Sequence, residues 1–193
     1  MRRILRLLAC GAVVLSLVAC TPTGRAVGDT QDSMPSIAHD STHKTDITVG
    51  FVGSPDTSAD KKAIDALADD TLNVYYASLD TSGDSETADK IAATAQQGVT
   101  DFVDRAVKIV IISGIDVTDA NRDSWNQALT NAREAGIPVA LLNPKHAPED
   151  ELLYAAILNT DDAASAKSVS IADAVITIAR DEPHDRTIAV ATE

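Results

Sequence analysis

The segment VKIVIISGID, residues 107–116, decides how this chain folds. Once the first twenty residues are set aside it is the most apolar run in the sequence, and Ile109, Val110, Ile111 and Ile112 leave no polar alternation. A strand wet on one face alternates apolar and polar side chains, so an unbroken run suits a central parallel strand covered on both faces. Before it, Ala88, Ile91, Ala95, Val99, Phe102 and Ala106 recur at helical spacing, with Gly98 as a modest interruption. After it, NRDSWNQALTNAREAG (121–136) sets Trp125, Ala128, Leu129 and Ala132 on one helical face and ends at Gly136, a C-terminal cap.

The same alternation extends outward. ITVGFVG (47–53) is a compact strand closed by glycine, and SADKKAIDALADD (58–70) is a helix with Ala63, Ile64, Leu67 and Ala68 along its apolar stripe. LNVYYASLD (72–80), IPVALLN (137–143) and LLYAAILN (152–159) are further strands, the last following the loop PKHAPEDE (144–151), whose prolines and acids disfavour regular structure. Alternating strands and helices with short connections predict an α/β fold with a doubly wound parallel sheet and right-handed crossovers. Ligands of such sheets bind at the carboxyl ends of the strands. The loops opened by Gly53, Asp80, Ser113, Asn143 and Asn159 are therefore the candidate binding loops.

The N-terminus reads as an address. Arg2, Arg3 and Arg6 precede an apolar run from Leu7 to Val18 that is too short for a permanent membrane span. It ends LVAC (17–20), which resembles the lipobox of bacterial lipoproteins. That resemblance implies a signal peptide over residues 1–19, cleavage before Cys20, and lipidation of Cys20. Residues 20–45 are polar, rich in Thr, Ser, Asp and Gly and without periodicity, the composition of a flexible tether. His39 and His43 share a helical spacing there but have no third ligand, so no metal site is expected.

Composition narrows the function. A formal charge of −13, with no basic cluster beyond the leader, excludes a counterion-releasing nucleic-acid surface. Aromatic residues make up only 3% of the chain, which leaves little for ring stacking. Neither a dinucleotide G-x-G-x-x-G, a Walker A loop nor a G-x-S-x-G elbow is present. A receiver domain would need acidic residues clustered after the first and third strands, where this chain has Gly53-Ser54 and Ser113-Gly114. Asp161 and Asp162 suit capping of the helix that follows, and Trp125 suits the core. No enzyme and no cofactor is expected.

Two motifs carry a family resemblance: VKIVIISGID, and NAREAGIPVALLN (131–143), where a helix ends in Ala-Gly and Ile-Pro-Val opens the next strand. The chain from residue 46 to 179 resembles the type I periplasmic solute-binding proteins, the ribose- and galactose-binding group that serves ABC sugar importers. The resemblance implies two lobes closing on a solute, here an N-terminal lobe over 46–162. Residues 163–193 would then be a crossover helix and the first strand of an incomplete second lobe, loosely packed for want of partners. It implies an extracytoplasmic, lipid-anchored protein at the cell membrane that delivers a solute, by family default a sugar, to ABC permease subunits. Gly53, Ser54, Ser113, Asn143 and Asp161 are the implied ligand-binding residues. The family often has Asp-Arg where this chain has Asn143-Pro144, and Gly114 replaces a frequent proline. A single-lobe, surface-tethered sensory or protein-interaction module with the same fold is the alternative. A hydrolase using Asp116, His146 or Asp161 is a third reading, and it lacks a placed nucleophile.

Overall fold

The structure is a computed structural model that describes residues 24–30, 43–79, 88–161 and 167–192. The signal segment, Cys20, His39, Asp80 and Asp162 lie outside the described residues. The strands are β1 (Thr48–Val52), β2 (Asn73–Ala77), β3 (Ile109–Ser113), β4 (Val139–Leu142), β5 (Ala156–Asn159), β6 (Val169–Ser170) and β7 (Thr187–Ala191). The helices are α1 (Thr57–Asp69), α2 (Ala88–Asp104), α3 (Arg122–Glu134) and α4 (Ile171–Ala179). The strands form one sheet, ordered β2-β1-β3-β4-β5-β7-β6, and every pairing is parallel.

The strand read first is the centre of the molecule. Ile109 and Ile111 face a core closed by α1 and α4, while Val110 and Ile112 face a second core closed by α2 and α3. All four are at most 1% exposed. Burying each such side chain contributes about 1.5–3 kcal/mol, so an unbroken apolar strand is what helices on both faces demand. On the neighbouring strand a Cβ at Gly50 would lie 2.4 Å from the Phe102 ring, so glycine is what lets α2 settle onto the sheet. At the end of α3, Gly136 takes φ +72° and its N–H donates to the Arg133 carbonyl, as the C-cap reading expects.

Several boundaries differ from the sequence reading, each for a local reason. The stripe of α1 is Asp60, Ala63 and Leu67, and Ala68 is exposed. The fifth strand begins at Ala156, because Asp150 accepts a hydrogen bond from the Leu152 N–H and starts a 3-10 turn over Glu151–Leu153. The helix after β5 starts at Ile171 and is capped by Ser170, whose Oγ accepts from the Asp173 N–H at 3.0 Å, so Asp161 does not cap it. The two-residue β6 gave no periodic signal.

The expectation of a loosely packed C-terminal segment is overturned. β7 lies between β5 and β6, pairing Leu158 with Ile188 and Val169 with Val190. Ile171, Val175, Ile178 and Val190 are fully buried and share the core with β1, β3 and α1. The apolar side chains of α4 thus cover the sheet that β7 extends. Nor are residues 24–30 a slack tether. Ala26 is 1% exposed and Asp29 4%, and this segment of turns packs against the loop between α4 and β7. Among the described residues no helix is long and apolar enough to cross a membrane.

Candidate functional site

Because the strands all run one way, the loops after β1, β3, β4 and β5 open on one edge of the sheet, the carboxyl edge. The first loop is built around Asp60, which is fully buried in the first turn of α1. Its carboxylate accepts the Ser54 N–H at 2.6 Å and the Ser54 hydroxyl at 3.0 Å. Ser54 Oγ in turn accepts the Asp56 N–H at 3.1 Å, and Asp56 caps α1 by accepting from the Ser58 and Ala59 N–H groups. The partial positive charge of a helix N-terminus favours a carboxylate in this place.

Tyr76 closes the other side of Asp60. A Cβ at Gly53 would lie 2.8 Å from the Tyr76 hydroxyl, so Gly53 makes room for that ring. Loss of surrounding water holds the Tyr76 phenol above the usual tyrosine range; the negative charge of Asp60 and a hydrogen bond to it add to the effect, and a hydrogen bond with Ser78 opposes it. Gly53 and Ser54 therefore shape the first loop, and the Ser54 hydroxyl is already engaged on both its donor and acceptor sides.

The third and fourth loops are more available. Ser113 ends β3 beside Leu142 of β4 and is 8% exposed; among the described residues nothing hydrogen-bonds its hydroxyl. Gly114 turns the chain at φ +62°, and a Cβ there would sit 3.2 Å from Ser54 Cβ, so the first and third loops touch. Asn143 follows β4 at φ +45°, a left-handed conformation that asparagine tolerates. Its amide forms a reciprocal pair with Thr160, donating to Oγ1 at 2.7 Å and accepting from N–H at 2.9 Å. The pair fastens the fourth loop to the fifth. Asp161 is exposed beyond it, with its N–H donated to Asn159 Oδ1 at 2.9 Å.

The structure also brings Asp116 and His146 together, Oδ1 to Nδ1 at 2.7 Å. Their backbones form a short parallel bridge, with the Val117 N–H donated to the His146 carbonyl at 3.0 Å. The pair ties the third loop to the fourth, but with His146 73% and Asp116 44% exposed it contributes little to stability.

Sequence reasoning missed Asp60, Tyr76 and Thr160. Asp60 was detectable as an acid on the apolar stripe, three and seven residues before Ala63 and Leu67. Tyr76 and Thr160 carried no such signal, since each acts through a partner from another part of the chain. An open groove of ≈ 600 Å³, lined by Lys44, Lys62, Asp65, Asp70, Ser170 and Asp173 among others, includes none of the expected ligand-binding residues. Among the described residues no cluster of potential metal ligands occurs.

No protein-family model matches the chain, and neither does any curated protein. Solved structures of related shape include a Mycobacterium smegmatis protein in complex with β-D-fucofuranose, at TM-score 0.48 and 17% identity over 63% of this chain and 37% of that one. A galactofuranose-binding protein follows at TM-score 0.46 and 16% identity, covering 74% of this chain and 56% of that one. The periplasmic binding protein component of the arabinose ABC transporter from Shewanella sp. ANA-3, bound to α- and β-L-arabinofuranose, gives TM-score 0.42 and 16% identity, covering 74% and 54%. The chain spans less than two thirds of the length of each.

Proposed function

We propose that this chain is an extracytoplasmic, lipid-anchored solute-binding protein that takes a sugar or similarly hydroxyl-rich solute at its carboxyl edge and serves an ABC importer. The observation that carries the reading is the placement of Ser113, Asn143 with Thr160, and Asp161 just past the carboxyl ends of three neighbouring parallel strands, β3, β4 and β5. Hydroxyls, an amide and a carboxylate offer both donors and acceptors to a polyol. The lipobox ending in Cys20 and the two family-like motifs supply the anchoring and transport parts of the reading.

A thermal-unfolding screen tests it. A ligand that binds only the folded chain stabilises it by about 2.7 kcal/mol at a hundredfold excess over Kd, a rise of several degrees in Tm for a domain of this size. Pentoses and hexoses in both ring forms, sugar alcohols and sugar acids form the panel. A Tm that none of them moves would count decisively against sugar as the solute.

A second reading, a tethered single-lobe sensory or interaction module, draws on the way α4 and β7 complete the described sheet and core. It expects a stably folded monomer that ignores the sugar panel and is crosslinked to one defined protein in the native membrane.

A further inference from the structure

Residues 24–30 cross the amino-terminal edge of the sheet, opposite the candidate site, and bond to a succession of residues in the loop between α4 and β7. Thr30 Oγ1 donates to the Glu182 carbonyl at 2.6 Å, and the Gly28 carbonyl accepts from His184 Nε2 at 2.7 Å. Asp29 Oδ2 accepts from Arg186 Nη1 at 2.5 Å. Arg186 immediately precedes β7, and its guanidinium is held on two more sides. Nη2 donates to the Glu151 carbonyl at 2.5 Å, and the plane lies 4.4 Å from the centroid of the Tyr154 ring.

The other end of the segment touches the body of the sheet. Arg133, in the last turn of α3, donates to the Arg25 carbonyl at 2.6 Å. Gly28 takes φ +78°, and a Cβ on it would lie 2.8 Å from Pro138 Cβ and 3.2 Å from Ile178 Cγ2. Its backbone is thus pressed between the approach to β4 and the end of α4, where a side chain would not fit. Among the described residues, β7 has on its outer side only the two residues of β6. The strip therefore supplies a second attachment for a strand whose outer neighbour is only two residues long.

We infer that residues 24–30 are an intramolecular latch, with the Asp29 carboxylate seated against Arg186 as its bolt, that keeps the α4–β7 unit docked in the sheet. The latch is independent of what the carboxyl edge binds. When it opens, Arg186 loses its carboxylate and β7 keeps its pairing with β5 and β6 and its core contact through Val190, so the unit loosens locally while β1 and β3 stay closed.

Hydrogen–deuterium exchange on the full chain tests this, comparing the native protein with Asp29→Asn, Thr30→Val and, as a control on an exposed ion pair, Lys61→Ala. The expected result is amide exchange about tenfold faster in β7 and the last turn of α4 for Asp29→Asn. Thr30→Val, which leaves every charge in place, gives a few-fold increase at the same amides, and Lys61→Ala gives none. Unchanged exchange at β7 in both latch variants, or an equal increase in β1 and β3, overturns the inference. If Asp29→Asn does not fold, Thr30→Val decides alone by the same two readings.

Discussion

The two edges of the sheet join their polar groups over very different distances along the chain. At the carboxyl edge the bonded partners are 6 residues apart for Ser54 and Asp60, 17 for Asn143 and Thr160, and 30 for Asp116 and His146. Where residues 24–30 bond to the loop before β7, at the amino-terminal edge, they are 152 apart for Thr30 and Glu182, 156 for Gly28 and His184, and 157 for Asp29 and Arg186. The first edge is assembled from neighbouring loops by the order of the strands. The second exists only after the whole described sheet has formed. Substitutions at the carboxyl edge should therefore act on the site, and those at the amino-terminal edge on the docking of β7.

Asp60→Ala is the most severe test of that division. It leaves the Ser54 N–H and the Ser54 hydroxyl without their acceptor in a buried place, at about 1–3 kcal/mol for each group. A loss of about 3 kcal/mol by urea unfolding is expected, with exchange at β7 unchanged until global unfolding; early loosening of β7 would break the comparison. Asn143→Ala is milder. It removes both bonds to Thr160 and places alanine at φ +45°, for a loss of about 1–2 kcal/mol. It should also abolish any sugar-induced rise in Tm, whereas Thr160→Val, which keeps the Asn143 amide, should only reduce it. Equal ligand shifts in the native protein and Asn143→Ala would remove Asn143 from the site.

The smallest effect is a pH dependence at Tyr76. Its phenol titrates higher in the folded chain than in the unfolded one, so the unfolded state gives up the proton first as pH rises. The stability this neutral phenol contributes is full below the ordinary tyrosine value of roughly 10 and declines from there up to the folded value. Urea midpoints compared at pH 8 and pH 11 should fall more for the native chain than for Tyr76→Phe; parallel declines would show that the Asp60 neighbourhood does not govern that hydroxyl.

The strand and helix alternation was legible because it rests on local periodicity: the unbroken run around Ile111, the stripe of α2, and Gly136 after α3 each declare themselves within a few residues. The positions of Ser113 and Asn143 at strand ends were legible for the same reason. What local pattern cannot supply is a partner distant in the chain. The role of Asp60 does not stand out in the sequence because its Ser54 and Tyr76 contacts depend on how β1, β2 and α1 pack. The polar composition of residues 24–30 suggested a tether because nothing in it announces Arg186. β7 was assigned elsewhere by resemblance, although Ile188 and Val190 carry the apolar pattern that its place beside β5 uses.

The latch also orders events in time. Closing Asp29 onto Arg186 spans 157 residues, against 17 for Asn143 and Thr160, and costs about 2 kcal/mol more in loop-closure entropy. Contacts of such long range form late, after the local βα units have shortened the effective chain. During synthesis Asp29 emerges early, yet it stays without its partner until Arg186 leaves the ribosome. The residues that appear among the first are thus among the last to find their place.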